Sequence, residues 1–567
     1  MFHGIGASHG YGIGNVFIIK EQSLDFTPRI NCNPQIELKR YYDAVETFCE
    51  NALIMAEKMT ETVGKSDAEI LSGHIYIIKD PYLILEVERR IKEGKCAESS
   101  LCSVCDLFVM LFSTSEDELT KQRASDIYDV KTGVLSLLIG ADDINISSAP
   151  PNSVLVTRDL TPSMTASIKK ENIAGIITEN GGKTSHSAIL ARAMGIPAVL
   201  SVNGFLRGVE DNDTVIVDGV EGKVIINPRK ALIDEYTKKR DVFLEEKKSL
   251  FKYVDLETET ADGKKINLFG NIDTPDDTDD VIRYGGEGVG LFRTEFLFVD
   301  RKSAPSEKEQ FYAYKKVALK MNGKPVIIRT LDVGGDKVIP YLRILNEDNP
   351  FLGFRAIRYC LKNKTVFTQQ LRALLMASAF GNLQIMIPLI TDVSEFRQVK
   401  NMIKDIMDEL DSKEIPYDKN IKVGITIETP SAAIVADLLA KEADFFSIGT
   451  NDLIQYILAV DRGNSNVAYI YSTYQPAVLR SIKSIIEVAK REGIPVGMCG
   501  EAASDSLIIP LLISFGLDDF SVSSTSILNN RKEISKWTKG AADKVAKKAL
   551  QQSTEEEVFE VLKRAAL

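Results

Sequence analysis

Histidine is scarce in this chain: His3, His9, His74 and His186 are the four present in 567 residues. Any chemistry that needs an imidazole must draw on that short set. Cysteine is sparse and odd in number, seven with scattered spacing. This excludes a disulfide framework and points to reduced thiols in a cytoplasmic protein. Cys102 and Cys105 make one CxxC with no second pair, which suits the buried face of a helix better than zinc or redox chemistry. Long apolar runs are missing too. The longest, around Leu507 to Leu517, is too short for a membrane span and carries Pro510 and Ser514. The first residues lack a basic start and apolar core, so no secretory signal is expected. Positive charge is in deficit, with 69 Lys and Arg against 80 Asp and Glu, a net −11. A general nucleic-acid grip is excluded, and anionic ligands would need local arginine clusters. No Walker-type nucleotide loop is present.

The chain is too long for one hydrophobic core, and its patterns divide it. Residues up to about Lys20 are glycine-rich (Gly4, Gly6, Gly10, Gly12, Gly14) before Val16-Phe17-Ile18-Ile19. They read as a strand with tight turns, because a dinucleotide fingerprint would need a strand before the glycines. From about Asn33 to Gly140 proline is nearly absent. Leu38, Tyr41, Tyr42, Val45 and Phe48 recur at helix spacing there, as do Ile70, Leu71, His74, Ile75 and Ile78, then Leu107, Met110 and Leu111. This predicts a helical bundle. From about Asn152 to Pro228 short β runs alternate with helices, a small α/β domain that the N-terminal strand would join. A charged helical stretch, about Arg229 to Val254, would link it to the remainder. There, strand-then-helix repeats eight times between Asn267 and the C-terminus, which predicts a (β/α)8 TIM-type barrel. The fold class expected is α/β multidomain: an α/β domain (1–20 and 145–228) with an inserted helical bundle (21–144), a linker (229–260) and the barrel (261–567).

His186 lies in Asn180-Gly-Gly-Lys-Thr-Ser-His-Ser-Ala-Ile-Leu, where the strand Ile176-Ile177-Thr178 enters a glycine turn and a helix starts near Thr184 or Ser185. Free N–H groups and the dipole at a helix start favour anions, and imidazole is a nucleophile near neutral pH. The segment suits either a phosphorylated histidine or a polar cap with an incidental one. His74 reads as a packed or surface residue, and His3 and His9 as turn residues.

Barrel chemistry gathers at the C-terminal ends of strands. Those ends carry Gly-Leu-Phe-Arg293-Thr-Glu295, Ile-Ile-Arg329-Thr-Leu-Asp332 with Gly334-Gly335-Asp336-Lys337, and Ile-Thr-Ile-Glu428-Thr-Pro. They also carry Ser-Ile-Gly449-Thr-Asn451-Asp452, Arg462 further on, and Gly-Met-Cys499-Gly-Glu501. Arginines hold carboxylate and phosphate by paired hydrogen bonds. Glu428 and Asp452 could hold one Mg²⁺, and a thiol could move a proton.

Together with Asn349-Pro-Phe-Leu-Gly-Phe-Arg355, these segments resemble, over essentially the whole length, the enzyme I family of the bacterial sugar phosphotransferase system, the phosphoenolpyruvate–protein phosphotransferases. The resemblance implies phosphorylation of His186 on Nε2, with Thr165 hydrogen-bonded to its ring. It implies that Arg293, Arg329 and Arg462, helped by Asn451, hold the phosphate and carboxylate of phosphoenolpyruvate, with Arg355 on the phosphate side and Lys337 in support. Glu428 and Asp452 would bind Mg²⁺, Asp452 also facing the substrate. Cys499 would protonate the enolate to give pyruvate. The bundle would dock the phosphocarrier HPr, the barrel would form a homodimer, and the α/β domain would swing through the linker. No nucleic acid and no membrane insertion are implied. The chain departs from the family pattern at Met164, at Gln475, at Ser504 and in the less acidic run Lys65 to His74, which bears on the partner surface. A dikinase or synthase sharing these domains would need a nucleotide-binding domain, for which the residues before the α/β domain are too few. A regulatory protein that has lost catalysis would not need the intact arginine, carboxylate and thiol set.

Overall fold

In the computed structural model the chain forms two compact units, Met1–Lys247 and Lys248–Leu567. The structure describes all residues except 20–23, 63–72, 114–117, 142–145, 161–163, 165–167, 183–184, 300, 302, 335–338, 343, 345–346, 465 and 567.

The first unit contains an eight-stranded sheet in the order β1-β8-β7-β3-β4-β5-β6-β2. Its N-terminal residues supply three strands, β1 (Phe2–His3), β2 (Ile5–Ser8) and β3 (Tyr11–Ile18). The glycines expected to make turns therefore lie largely inside strands. A Cβ on Gly12 would collide with the carbonyl oxygen of Ala174, so the residue is needed for close backbone approach. Gly10, at φ +137°, does turn the chain. β4 (Ser153–Thr157), β5 (Ile173–Thr178) and β6 (Ala198–Leu200) run parallel to β3, while β7 (Thr214–Asp218) and β8 (Lys223–Ile226) pair antiparallel. Apolar runs such as Val154-Leu155-Val156 and Ile176-Ile177 are buried on both faces.

Between β3 and β4 this unit carries the helices Pro34–Thr62, a short one at 73–78, Pro81–Lys92, Ala97–Ser113 and Glu118–Ile139. Asp80 starts the third. Its carboxylate accepts the N–H groups of Tyr82 (2.9 Å) and Leu83 (3.1 Å), and Pro81 follows at the first helical position. Tyr41, Val87, Ile91, Leu101, Val104 and Val130 build the core. Cys105 is buried within it on a helix and Cys102 packs at its edge, both as free thiols. His74 is packed, not exposed, with Asp126 at 3.6 Å and Asp129 at 3.7 Å. Leu107, Met110 and Leu111, by contrast, face outward, because the inward face of their helix is taken by Leu101, Val104 and Cys105. The charged connector is one helix, Lys230–Leu250, and the unit boundary falls within it.

The second unit is a closed barrel of eight parallel strands, β9 (Asn267–Ile272), β10 (Val289–Arg293), β11 (Val326–Arg329), β12 (Leu383–Ile387), β13 (Lys422–Ile427), β14 (Phe446–Ile448), β15 (Val496–Met498) and β16 (Asp519–Ser523). Several strands are shorter than their apolar runs suggest. β10 stops at Arg293 and the chain turns into a 3₁₀ helix at Glu295–Leu297. Glu428, Asn451, Asp452 and Cys499 thus sit just beyond the ladder, free to converge above the barrel. Arg531 is wholly buried and donates to the carbonyls of Tyr253 (2.7 Å) and Gly285 (2.6 Å), pinning the chain that enters this unit.

Candidate functional site

Arg293, Arg329, Glu428 and Cys499 stand where a strand gives way to its loop. Arg329 is buried. Its Nη2 donates to Glu295 Oε1 at 3.0 Å and its Nη1 lies 3.1 Å from Asp332 Oδ2. Glu295 Oε1 also accepts the Asp332 amide N–H at 3.0 Å, so the loop after β11 folds back over the exit of β10. Both Asp332 oxygens accept from Arg355 Nη2, at 2.9 and 3.1 Å, and the same nitrogen reaches Asp452 Oδ2 at 3.1 Å. Arg355 Nη1 donates to the Tyr456 hydroxyl at 3.3 Å. Glu428 is 3% exposed and accepts the Leu389 N–H at 2.7 Å. A Cβ at Gly449 would lie 2.5 Å from Glu428 Oε2, so a glycine is needed for the β14 loop to pass this carboxylate.

The charges in this network are strongly coupled. Burial first, then the nearby Asp452 and Asp332 carboxylates, push the Glu428 carboxyl up to about 8, against the pull of Arg329 and Arg355. Burial works against the charge on Arg329 and Arg355, but the surrounding carboxylates outweigh it and hold both guanidinium pKa values above the ordinary value.

Cys499 is 6% exposed and clusters with Leu291, Ile327, Met386 and Phe445. Burial pushes its thiol pKa up, opposed by a hydrogen bond with Ser447 and by Arg329 and Arg293, so the proton stays on sulfur at neutral pH. Asn451 Oδ1 accepts the Glu501 N–H at 3.1 Å. Arg293 stands at the rim with Nη1 on Asp273 Oδ1 at 2.9 Å. Arg462 lies on an exposed loop, its backbone N–H on Gln455 Oε1 at 3.2 Å.

The structure thus joins Arg329, Arg355 and Asp452 in one hydrogen-bonded network, places Glu428 within their electrostatic reach, and sets Cys499 among the same charges. Arg293 stands at the rim, and Arg462 lies on the exposed loop after the helix Thr450–Leu458. Lys337 and Thr165 lie outside the described residues. His186 belongs to the first unit, where it opens the helix His186–Met194 behind Ser185, whose Oγ accepts the Ala188 N–H at 3.4 Å. Sequence reasoning gave no role to Asp332, Glu295 or Tyr456, which orient the arginines. The Arg329-x-x-Asp332 and Arg293-x-Glu295 spacings were the available signal.

Among the described residues no cluster of three or more His, Cys, Asp or Glu is arranged to hold a metal ion. Glu428 and Asp452 nevertheless fit as two hard oxygen donors to one Mg²⁺ completed by ligand oxygens. Burial, and after it the repulsion from Asp452 and Asp332, load Glu428 with a proton, and a dication bound there would offset both.

Three family models match the chain in order: "PEP-utilising enzyme, N-terminal" over residues 3–123, "PEP-utilising enzyme, mobile domain" over 149–222 and "PEP-utilising enzyme, PEP-binding domain" over 247–539. The class is therefore that of the PEP-utilising enzymes. The phosphoenolpyruvate-protein phosphotransferase of Listeria monocytogenes is 43% identical over 562 residues, covering 99% of this chain and 98% of that protein. That of Bacillus subtilis is 44% identical over 561 residues with the same coverage, and that of Staphylococcus carnosus 42% identical over 560 residues, 99% of this chain and 98% of that protein. The chain belongs to the phosphoenolpyruvate-protein phosphotransferase family.

Proposed function

We propose that the protein transfers the phosphoryl group of phosphoenolpyruvate to its own His186 and then to a histidine of the carrier HPr, releasing pyruvate, as the first step of sugar uptake by the phosphotransferase system. The observation that carries this reading is the barrel-mouth network of Arg329, Asp332, Arg355 and Asp452, with Glu428 and a protonated Cys499 beside it. It offers guanidinium N–H donors for a trianionic donor, with a bound dication offsetting the carboxylates, and a proton for the product.

Arg293, Arg329 and Arg462 bind the phosphate and carboxylate oxygens, Asn451 assists through its amide, and Arg355 adds positive charge beneath them. Mg²⁺ held by Glu428 and Asp452 would supply charge neutralisation at the phosphoryl and enol oxygens. His186 attacks phosphorus through Nε2 as the bond to the enol oxygen breaks. Cys499 gives its proton to the enolate carbon, and water reprotonates the thiolate. Thr165 would orient the imidazole, and Lys337 would support the phosphate.

His186 and the mouth belong to different units, and the Lys230–Leu250 helix connects them. A rigid-body swing through this connector would carry the histidine between donor and acceptor. Residues 1–20 and 145–228 would form the travelling phosphohistidine domain, 21–144 the HPr-binding domain, 229–260 the linker and 261–567 the barrel, which would also form the homodimer. The HPr-docking reading is supported by the outward Tyr82, Leu85, Leu107, Met110 and Leu111 on adjacent helices, joined by an edge contact between Tyr82 and Phe108 at 6.0 Å. Among the described residues no helix is long and apolar enough to cross a membrane.

The test is multiple turnover. A catalytic amount of protein with Mg²⁺, labelled phosphoenolpyruvate and excess HPr should charge many equivalents of HPr, and ATP should not replace the donor. Label that stops at one equivalent per chain, or a requirement for ATP, would refute the proposal.

A further inference from the structure

The acceptors around the buried Arg355 are not alike. Its Nη2 is taken by two carboxylates, Asp332 at 2.9 and 3.1 Å and Asp452 at 3.1 Å. Its Nη1 goes to a neutral group, the Tyr456 hydroxyl, at 3.3 Å. The same hydroxyl donates to the Phe351 carbonyl. A guanidinium only donates and a carbonyl only accepts, so both directions are fixed: the phenol oxygen receives from Arg355 and its hydrogen goes to Phe351. Burial pushes the phenol pKa up to about 12, against the pull of Arg355, which keeps that hydrogen in place at neutral pH. Tyr456 lies one turn beyond Asp452 on the helix Thr450–Leu458. One helix thus grips one guanidinium by both of its terminal nitrogens. The Phe351 ring packs against the same group, its centroid 5.8 Å from the guanidinium carbon.

We propose that Tyr456 is a positioning residue for phosphoenolpyruvate, its hydroxyl fixing the plane of the Arg355 guanidinium so that the second Nη1 hydrogen is presented to the phosphate of the donor. The carboxylates alone would hold Arg355 by one nitrogen and let its plane turn about that contact. An anchor on the other nitrogen stops the rotation before the substrate arrives, so the cost of ordering is removed from the binding step. Because this anchor is neutral, it takes none of the positive charge that the phosphate needs. The proposal rests on the phosphate-side role of Arg355 given above.

The experiment compares the full-length protein with Y456F, R355K and Y456F/R355K in pyruvate release at saturating Mg²⁺ and HPr, with thermal melts to show that each variant folds. Lysine keeps a cation among the buried carboxylates but has no planar fork for the phenol to align. R355Q takes its place if the melt shows R355K unfolded. Y456F should raise KM for phosphoenolpyruvate about tenfold with kcat within about twofold, the pattern of lost uniform binding. In the R355K background the same change should add less than about twofold, because the phenol acts through the guanidinium. An unchanged KM in Y456F overturns the inference. So does an equal effect with and without Arg355, which would mean that the hydroxyl acts only by holding the Phe351 carbonyl. Either result leaves the substrate role of Arg355 standing. If R355K itself leaves KM unaltered, that role falls and the inference with it.

Discussion

Magnesium affinity at the barrel mouth should depend steeply on pH, through one carboxyl. Burial and the neighbouring Asp452 and Asp332 push Glu428 up to about 8, so below that pH the metal-free pair holds a proton that Mg²⁺ must displace. Each pH unit well below 8 then weakens binding about tenfold, or about 1.4 kcal/mol, and about 50-fold separates pH 6 from pH 8, where half the carboxyl is already ionised. Above pH 8 the dependence flattens. The sign for stability runs the other way. In the metal-free protein the folded state retains a proton that the unfolded carboxyl has already lost, so stability falls as pH rises from the ordinary carboxyl range towards 8. Titration calorimetry with Mg²⁺ in two buffers of different ionisation enthalpy, at several pH values, gives both the affinity and the protons released. Glu428→Gln should abolish the release and flatten the profile. A pH-independent affinity between pH 6 and 8, or a slope that survives in E428Q, would refute this account of the carboxylate network.

Cys499→Ala should slow pyruvate formation by about 10²–10⁴-fold in a dehydrogenase-coupled assay while leaving phosphoenolpyruvate binding nearly intact, because it removes the proton donor and not a ligand. Tyr82→Asp with Leu85→Asp should raise KM for HPr by about tenfold or more, with phosphorylation of His186 unaffected, since both side chains lie on the outward face of the bundle. Gly12→Ala should lower the stability of the first unit by about 1–3 kcal/mol in denaturant titrations, because its Cβ would strike the Ala174 carbonyl, while the barrel transition stays in place.

Sequence periodicity announced the barrel because each strand is a short apolar run followed by a helix-spaced one, a pattern set by burial on both faces. It did not mark strand ends. The strand expected over Gly290 to Phe296 carries on past Arg293-Thr294-Glu295, yet the ladder stops at Arg293 and the next residues turn away in a 3₁₀ helix. The N-terminal glycines misled for a different reason. Gly12 is required by the Ala174 backbone, more than 150 residues away in sequence, and no local pattern encodes that approach. The same holds at the mouth. Arginines, carboxylates and the thiol were legible as residue types at strand ends, whereas the bond from Arg355 to both Asp332 and Asp452 exists only once the barrel closes. Outward-facing Leu107, Met110 and Leu111 share helical spacing with core residues, and spacing alone does not say which face is covered.

The imidazole of residue 186 is expected to take phosphorus from the donor as pyruvate forms. Rapid quenching of the full-length protein with labelled phosphoenolpyruvate and Mg²⁺ measures both products in one turnover. Pyruvate and an acid-labile, alkali-stable phosphohistidine should appear together in a one-to-one ratio, and His186→Ala should yield neither. Pyruvate release by H186A at the normal rate, with HPr still charged, would contradict the claim.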